Sequence, residues 1–292
     1  MDNTPKLQHY VPQFYLKTFA TKISSKEFWV TCFDKSENKK FLVNTKGICA
    51  EKHFYDSDDD LPIDKILTKL EDEFNITYKK LLKSADFNAL TVDDKISLGY
   101  FIATQWLRTK ERREMSRDTI KQMTERLSKE KLSPEFEAKL KDANTEQSLK
   151  SLHLNFLKDL PRYVSIILGM KWILFVNKTT LPYWTSDHPV CMFNSLDLWP
   201  YGNLGLKSKG IEMHFPLSPI LKLGICDPIR FNKFPANFNV TDKQNIIFAN
   251  SLQVNGSARH IFSITDDFSL AEKMIRENPT LRNLDRKQVS IN

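Results

Sequence analysis

Glycine is scarce in this chain of 292 residues. Only 8 glycines accompany 20 phenylalanines, whereas loops that cradle phosphates need glycine so that the backbone can approach the ligand closely. The sequence contains no P-loop, no Rossmann glycine pattern, no His-Glu-x-x-His helix and no Gly-x-Ser-x-Gly elbow. The familiar motifs of NTPases, dinucleotide-binding enzymes, zinc proteases and α/β-hydrolases are therefore excluded.

Long apolar runs are also missing. The longest, at 163–176, spans about fourteen residues and is interrupted by Lys171, whereas a membrane span needs roughly 20 apolar residues. The first 20 residues contain no apolar run of signal-peptide length. We therefore expect a cytoplasmic protein that does not associate with membranes.

Paired cysteine motifs are absent. The four cysteines stand far apart and none forms a Cys-x-x-Cys pair; they are Cys32, Cys49, Cys191 and Cys226. In a reducing compartment such cysteines are most simply buried thiols, so a structural zinc site is not expected.

An acidic segment offers the one grouping of hard oxygen ligands. His53 is followed by Asp56, Asp58, Asp59 and Asp60, and carboxylates of this kind can gather a cation such as Mg²⁺. An exposed, solvated acidic loop is the favoured interpretation, and we expect no cofactor.

Positive charge is concentrated in one segment. The formal net charge is +7, and residues 108–131 hold nine Lys or Arg against five acids, a local net of +4. Such a surface can attract the phosphate backbone of a nucleic acid. A solvated helix with mixed charges is the favoured alternative.

The hydrophobic pattern changes period along the chain and predicts an α+β fold. We expect a short N-terminal β-hairpin, long central helices, and a C-terminal antiparallel or mixed sheet with one helix. Apolar β-type runs predict strands at 28–33, 40–43, 171–176, 189–193, 211–215, 220–226 and 259–264. A single domain over 1–292 is the economical interpretation. Two lobes are the alternative, one helical at 62–168 and one β-rich at 1–61 plus 169–292.

Capping patterns predict where three helices begin. Thr91 with Asp94 resembles a capping box, and the helix after it is expected to continue through Leu107 into the charged segment. Pro134 after Ser133 predicts a helix towards Leu160, with a break near Asn144. Thr241 with Gln244 predicts the start of the C-terminal helix.

The amino-terminal segment is unusually aromatic. Tyr10, Phe14, Tyr15 and Phe19 lie within the first 20 residues, so we expect this segment to dock into the core rather than fray. His9 would then be held on a fixed backbone. A structural histidine that bonds to a carbonyl group is the alternative to a catalytic one.

A second cluster lies on the helix after Thr91. At 100° per residue, Phe101, Gln105, Arg108 and Arg112 form one stripe. A buried arginine needs a partner, and either a carboxylate of the protein or a phosphate of a ligand suits its planar guanidinium group.

A third cluster is the segment from Thr185 through Ser186, Asp187 and His188 to Pro189. Its composition favours a turn at the end of a strand. Strand ends also present side chains to pockets, so Asp187 is a candidate to orient His9 or to pair with Arg108.

These three clusters, in this order, resemble the bacterial domain-of-unknown-function 4238 family. Its members open with a His-Tyr-Val-Pro-x-Phe-Tyr-Leu element, matched here at 9–16. They carry a Gln-x-x-Arg helix, matched by Gln105 and Arg108, and a Thr-Ser-Asp-x-Pro element, matched at 185–189. The Phe-Pro-Leu-Ser-Pro run at 215–219 is similar to the family as well.

The resemblance implies an accessory-genome protein, because some members are associated with defence against bacteriophage. One hypothesis is a defence or toxin-type enzyme, such as a nuclease, that acts on nucleic acid or nucleotides. The assigned roles are general acid or base for His9, orientation of His9 for Asp187, and phosphate binding for Arg108. The residues expected to contact substrate are Tyr10, Gln105, Ser186 and Arg112.

The alternative is a non-enzymatic binding or sensor protein. The same polar residues would then brace the amino terminus against the helix and the sheet. A closed network of hydrogen bonds around His9, Arg108 and Asp187 would favour this alternative. No feature of the sequence sets an oligomeric state.

Overall fold

The secondary structure follows the predicted order of hairpin, helices and sheet. A computed structural model describes residues 7–55, 63–127, 129, 133–196, 204–284 and 286. The amino-terminal elements are β1 (Leu7–His9), α1 (Gln13–Leu16), β2 (Thr21–Lys22), β3 (Phe28–Asp34), β4 (Lys39–Asn44) and β5 (Ala50–Lys52). The central helices are α2 (Ile63–Ser84), α3 (Val92–Leu107), α4 (Lys110–Leu127), α5 (Pro134–Ala143), α6 (Glu146–Lys158) and α7 (Leu160–Leu168).

The carboxy-terminal part is rich in strands. Its elements are β6 (Lys171–Asn177), β7 (Thr185–Ser186), β8 (Cys191–Asn194), β9 (Ile211–Ser218), β10 (Leu221–Cys226), β11 (Asn237–Val240), α8 (Lys243–Gly256), β12 (His260–Ser263) and α9 (Ser269–Glu277). The predicted α+β class is confirmed. Helix α9 has no counterpart among the predicted elements.

Two larger sheets organise these strands. The first, here called the C-terminal sheet, has the order β11-β6-β10-β9-β8 and is antiparallel except where β11 pairs with β6. The second, here called the hairpin sheet, has the order β2-β3-β12-β7, with β4 beside β3. Strand β12 therefore returns to the amino-terminal hairpin rather than to the C-terminal sheet. This long-range pairing joins the two ends of the chain.

The helix starts follow their caps closely. Thr91 and Asp94 form a capping box in both directions, and the Ser133 side chain accepts a hydrogen bond from the Phe136 amide. The prediction that Thr241 caps the C-terminal helix is wrong. Asp242 is the N-cap, and its carboxylate accepts from the Gln244 amide. Aspartate caps helices as well as threonine does, so two neighbouring candidates could not be separated by pattern alone.

The charged segment forms its own helix, which corrects the prediction of one continuous helix through Leu107. Helix α3 ends at Leu107, Arg108 is its C-cap, and α4 begins at Lys110. The break allows the hydroxyl of Thr109 to contact His188 Nδ1 at 2.5 Å. The break between α3 and α4 therefore coincides with a contact between residues 79 positions apart in the sequence.

The amino-terminal segment is packed into the centre, as predicted. The Tyr15 side chain is fully buried, stacks on Phe215 at 5.2 Å between ring centroids, and lies 6.5 Å from Phe101. Its hydroxyl contacts Thr185 Oγ1 at 2.6 Å and donates to the Pro216 carbonyl at 2.7 Å. One apolar cluster thus joins both predicted lobes. This continuity favours a single domain over 1–292, which stays a prediction.

The four cysteines are buried free thiols, as the sequence predicted. Within the described ranges, no helix combines the length and the apolar character that crossing a membrane requires.

Candidate functional site

Arg108 lies at the end of α3 with a side chain that is 1% exposed. Its Nη1 donates to Glu71 Oε1 at 2.6 Å, and its Nε and Nη2 donate to Gln105 Oε1 at 3.2 and 3.1 Å. The Gln105 amide in turn donates to the Tyr10 carbonyl at 3.1 Å. Of the two predicted alternatives, the structure shows a protein carboxylate beside Arg108, and α2, α3 and the amino-terminal segment meet at this guanidinium.

The electrostatics of this pair favour the charged state of the arginine. Burial alone would lower the pKa of Arg108, but the Glu71 carboxylate beside it raises that pKa above its usual value. Removing Glu71 would leave the buried charge of Arg108 without its partner, and the loss should be smaller than the ~3–5 kcal/mol typical of fully buried pairs because the Glu71 side chain is 25% exposed. The ion pair between Arg108 and Glu71 therefore stabilises the packing of α2 against the end of α3.

His9 lies next to this pair. Strand β1 pairs with β5, which sets His9 opposite Ala50. Burial is the main reason that the pKa of His9 is lowered, and Arg108 contributes in the same direction. The backbone of Lys46 lies near the imidazole, but Nε2 is buried and no hydrogen bond within the described residues reaches it. A buried polar atom without a partner is unusual in folded proteins.

Tyr10 is packed rather than presented to a ligand. Its ring lies 5.3 Å from that of Phe54, and its backbone amide donates to the Cys49 carbonyl at 2.9 Å. Burial raises the pKa of the Tyr10 hydroxyl well above its usual value. The side chain is therefore neutral across the physiological range.

Asp187 closes the turn between α8 and β12. Its Oδ1 accepts from the Ala258 amide, and its Oδ2 accepts from the amides of Arg259 and His260, each at 2.8 Å. The carboxylate lies directly after β7, and β7 pairs with β12 at Ser186 and Ile261. Asp187 therefore acts as a clasp that joins the end of one strand to the start of its neighbour.

The neighbours of Asp187 are also engaged in internal bonds. Ser186 donates to Gln253 Oε1 at 2.7 Å, and Gln253 donates to the Pro189 carbonyl at 3.0 Å. Burial lowers the pKa of His188 to about 4, so this imidazole is neutral at pH 7. The Ser186 hydroxyl is fully buried, so it faces protein rather than solvent.

The predicted constellation therefore falls into two groups of contacts. His9 and Arg108 lie near Glu71, and Gln105 links Arg108 to the Tyr10 carbonyl, whereas Ser186 and Asp187 bond to α8 and to the turn that follows it. Among the described residues, no hydrogen bond or ion pair joins Asp187 to His9 or to Arg108. The convergence of these three side chains on one site stays a prediction.

Arg112 stacks on aromatic rings. Its guanidinium carbon lies 4.7 Å from the Trp106 ring centroid and 5.6 Å from that of Phe156. Burial lowers the pKa of Arg112 below its usual value. The contribution of this side chain is therefore a cation–π contact in the interface between helices.

Other cations of α4 are paired with carboxylates. Lys110 and Arg113 contact the two oxygens of Glu51 at 2.7 and 3.3 Å, and Arg117 contacts Glu146 at 2.8 Å. These ion pairs reduce the positive field that the sequence count suggested. They support the interpretation of α4 as a helix with mixed charges.

A buried charged group at the end of α8 was missed. Lys35 is fully buried and donates to the Val254 and Ser257 carbonyls at 2.8 and 2.6 Å. Glu111 pairs with Arg286 at 3.1 Å, and burial raises the pKa of Glu111 to about 7. Lys35 follows the strand predicted at 28–33, and no local pattern of the sequence indicated its burial.

A histidine between two carboxylates was also missed. His260 lies 3.8 Å from both Asp34 and Asp187, and Arg259 pairs with Asp34 at 2.6 Å. Burial lowers the pKa of His260, and both carboxylates act against this shift. The sequence pattern identified residues 259–264 only as a strand, although its two leading polar residues are unusual at a strand start.

A third missed group crosses two strands of the C-terminal sheet. Lys222 Nζ lies 2.9 Å from His214 Nδ1, and His214 Nε2 lies 3.2 Å from Glu212. Burial lowers the pKa of Lys222 to about 8 and that of His214 to about 4. The alternation of Glu212 and His214 within an apolar strand was the available signal for one polar face.

Metal ligands do not cluster in the part of the chain that the structure describes. No group of three or more His, Cys, Asp or Glu side chains is arranged to hold an ion there. The hypothesis of a Mg²⁺ site with Asp56, Asp58, Asp59 and Asp60 falls outside the described residues and stays a prediction.

The comparisons with known proteins agree with the resemblance seen in the sequence. The model of a family described as protein of unknown function, DUF4238, matches residues 7–267, which is most of the chain. No curated protein and no solved structure gives a significant match.

Proposed function

The chain belongs to the DUF4238 family of proteins of unknown function, and from this premise we propose that it is a non-enzymatic binding or sensor protein. Its ligand in this proposal is a nucleotide or a nucleic acid, and it acts in the cytoplasm. The residues that carry the family resemblance then have a structural task. They hold the amino-terminal segment, α3 and the turn at 185–189 in one arrangement.

The observation that carries this proposal is that the polar atoms of Arg108 and Asp187 are already bonded to other groups of the protein. All three donor nitrogens of the Arg108 guanidinium have protein acceptors, and both Asp187 oxygens accept backbone amides. The Arg108 side chain is 1% exposed and its Nη1 donates to Glu71, a partly exposed carboxylate, so a phosphate would have to displace Glu71 to reach this nitrogen. Hydrogen-bonding atoms that are occupied by protein partners suit a structural role for these residues better than a catalytic one.

The test combines a chemical assay with an unfolding assay on the full chain. RNA, single-stranded DNA and nucleoside phosphates are incubated with the protein, and both binding and product formation are measured. We expect binding of at least one ligand and no product. Arg108→Ala and Asp187→Asn should lower the melting temperature while the folded variants retain ligand affinity. Arg117→Ala, which removes an arginine paired at the surface, serves as the matched control and should leave the melting temperature almost unchanged.

A second candidate function is the defence or toxin-type enzyme, such as a nuclease. One observation favours it: Nε2 of His9 is buried beside Arg108 without a partner in the described residues. A histidine with an unpaired ring nitrogen is suited to proton transfer near neutral pH. The incubations above separate the two candidates. Product that disappears in His9→Gln, at an unchanged melting temperature, would establish the enzyme and overturn the binding proposal.

A further inference from the structure

A cleft lies between α8, α9 and the segment before β7, away from the residues of the family resemblance. Its volume is about 780 Å³, within the range of sites that take small molecules. The lining residues are Thr180, Leu181, Pro182, Trp184, Gln244, Ile247, Asn250, Thr265, Asp267, Ser269, Leu270, Lys273 and Arg276. The two cations of this set lie on α9, which also contributes Leu270, whereas the other apolar members lie on α8 and on the segment before β7.

The apolar wall is held rigidly. Asn250 accepts from the Trp184 amide at 2.9 Å and donates to the Pro182 carbonyl at 3.0 Å, which ties the segment before β7 to α8. The Trp184 ring lies 5.1 Å from that of Phe268, which is fully buried at the start of α9. Since both sides of the cleft are anchored in the core, the cleft does not depend on a ligand to form.

The charged wall belongs to α9. This helix buries Ala271 and Ile275 and leaves Lys273 and Arg276 exposed along the cleft. Arg276 has no hydrogen bond or ion pair within the described residues, and Lys273 has only an exposed contact with Glu277 at 3.8 Å. Two available cations one turn apart on a helix can grip one anionic group.

Asp267 is the acidic residue of the cleft. Its carboxylate accepts from the Ser269 amide at 3.0 Å, and this hydrogen bond is the main reason that its pKa is lowered. The lining side chains therefore carry two positive charges and one negative charge, a net of +1. The remaining acceptor capacity of an ionised carboxylate suits hydroxyl groups of a ligand.

We infer that this cleft binds a nucleoside monophosphate. The apolar wall takes the base, Lys273 and Arg276 take the phosphate, and Asp267 accepts from ribose hydroxyls. This assignment rests on the proposed function, because it names the ligand class and the location of a binding site that the motif residues do not supply.

Titration calorimetry with the full chain tests the site. The probes are AMP, GMP, CMP and UMP, together with adenosine and inorganic phosphate as partial ligands. At least one monophosphate should bind at least tenfold more tightly than either partial ligand. The double variant K273A/R276A should weaken that binding at least tenfold. The double variant K233A/K243A removes two exposed lysines that lie outside the cleft, and its affinity should stay within twofold of the native value.

A second variant keeps the test independent of charge. Ile247→Trp adds volume to the apolar wall and should abolish binding while α8 remains folded, as circular dichroism would verify. Native affinity in both K273A/R276A and Ile247→Trp would overturn the cleft as the site while leaving the proposed binding function intact. Equal affinity for inorganic phosphate and every monophosphate would overturn the ligand class. Turnover of the bound nucleotide would instead contradict the non-enzymatic proposal and leave the site standing.

Discussion

Asp187 concentrates three backbone hydrogen bonds on one carboxylate. The amides of Ala258, Arg259 and His260 all point at it, and its side chain is 3% exposed. Backbone amides that are buried together need an acceptor, and an ionised carboxylate is a strong one. The residue thereby determines how the chain leaves α8 and enters β12.

Replacing Asp187 by Asn tests this role. The amide side chain keeps one acceptor oxygen and turns a donor towards an amide, so at least one bond is lost and a repulsion is added. We expect the free energy of unfolding to fall by about 1.5–3 kcal/mol, the usual value for a hydrogen bond to a charged group. Urea unfolding at pH 7 measures it. Asp266→Asn, at an exposed position in the loop before α9, should change stability by less than about 0.5 kcal/mol. Equal losses of stability in the two variants would contradict the role of Asp187 as the acceptor for these three amides.

At the scale of elements, β10 is closely packed because it carries a glycine under an aromatic ring. A Cβ added at Gly224 would lie 2.6 Å from Phe175 Cε2. The Phe175 ring cannot withdraw freely, since Lys222 Nζ lies 4.2 Å from its centroid and Phe238 lies 5.9 Å away. The absence of a side chain at this position lets β6 and β10 keep both contacts.

Gly224→Ala should therefore destabilise the sheet. Overpacking of this kind typically costs about 1–3 kcal/mol, and here it also disturbs the contact between Lys222 and Phe175. Gly47→Ala is the matched control, because an added Cβ there meets no atom closer than 3.7 Å. Thermal unfolding of both variants measures the difference. A melting temperature of Gly224→Ala equal to that of Gly47→Ala would show that the ring moves without cost.

At the scale of the whole molecule, several histidines are buried in the neutral state. Burial lowers the pKa values of His153, His188 and His214 to about 3, 4 and 4, below the usual value of about 6.5. Between the lowered pKa values and the usual one, the unfolded chain therefore binds more protons at these histidines than the folded chain does. The stability that these three histidines contribute is fully present above pH 6.5 and is lost as the pH is lowered towards 4. Glu111 opposes this trend, because its pKa is raised to about 7 in the fold.

The variant His153→Leu isolates one of these contributions. The imidazole is fully buried and lies edge-on to Phe54 at 5.8 Å, so an apolar side chain suits the site. We expect the slope of unfolding free energy against pH, between pH 6 and 4.5, to decrease by about 1.4 kcal/mol per unit. Urea unfolding at four pH values measures both slopes. Parallel slopes for the native chain and the variant would refute the assignment to His153.

The sequence alone determined the types of most elements in this protein. The apolar β-type runs at 28–33 and 40–43 and the caps at Thr91 and Ser133 depend on residues that lie close together in the sequence, so local pattern reveals them. The aromatic density before Phe19 likewise required burial, because so much apolar surface is costly to leave in water.

Only the tertiary structure decided which partners the polar residues take. Glu71 is 37 residues from Arg108, and the amides that bond Asp187 are 71 to 73 residues away. The pattern around Arg108 left a carboxylate and a ligand phosphate as equal alternatives. Burial of Lys35 under α8 depends on the return of β12 to β3, a pairing between residues more than 220 positions apart. Such pairings arise because the whole chain must bury its apolar faces together and satisfy every buried donor at once, and no local window of sequence contains that condition.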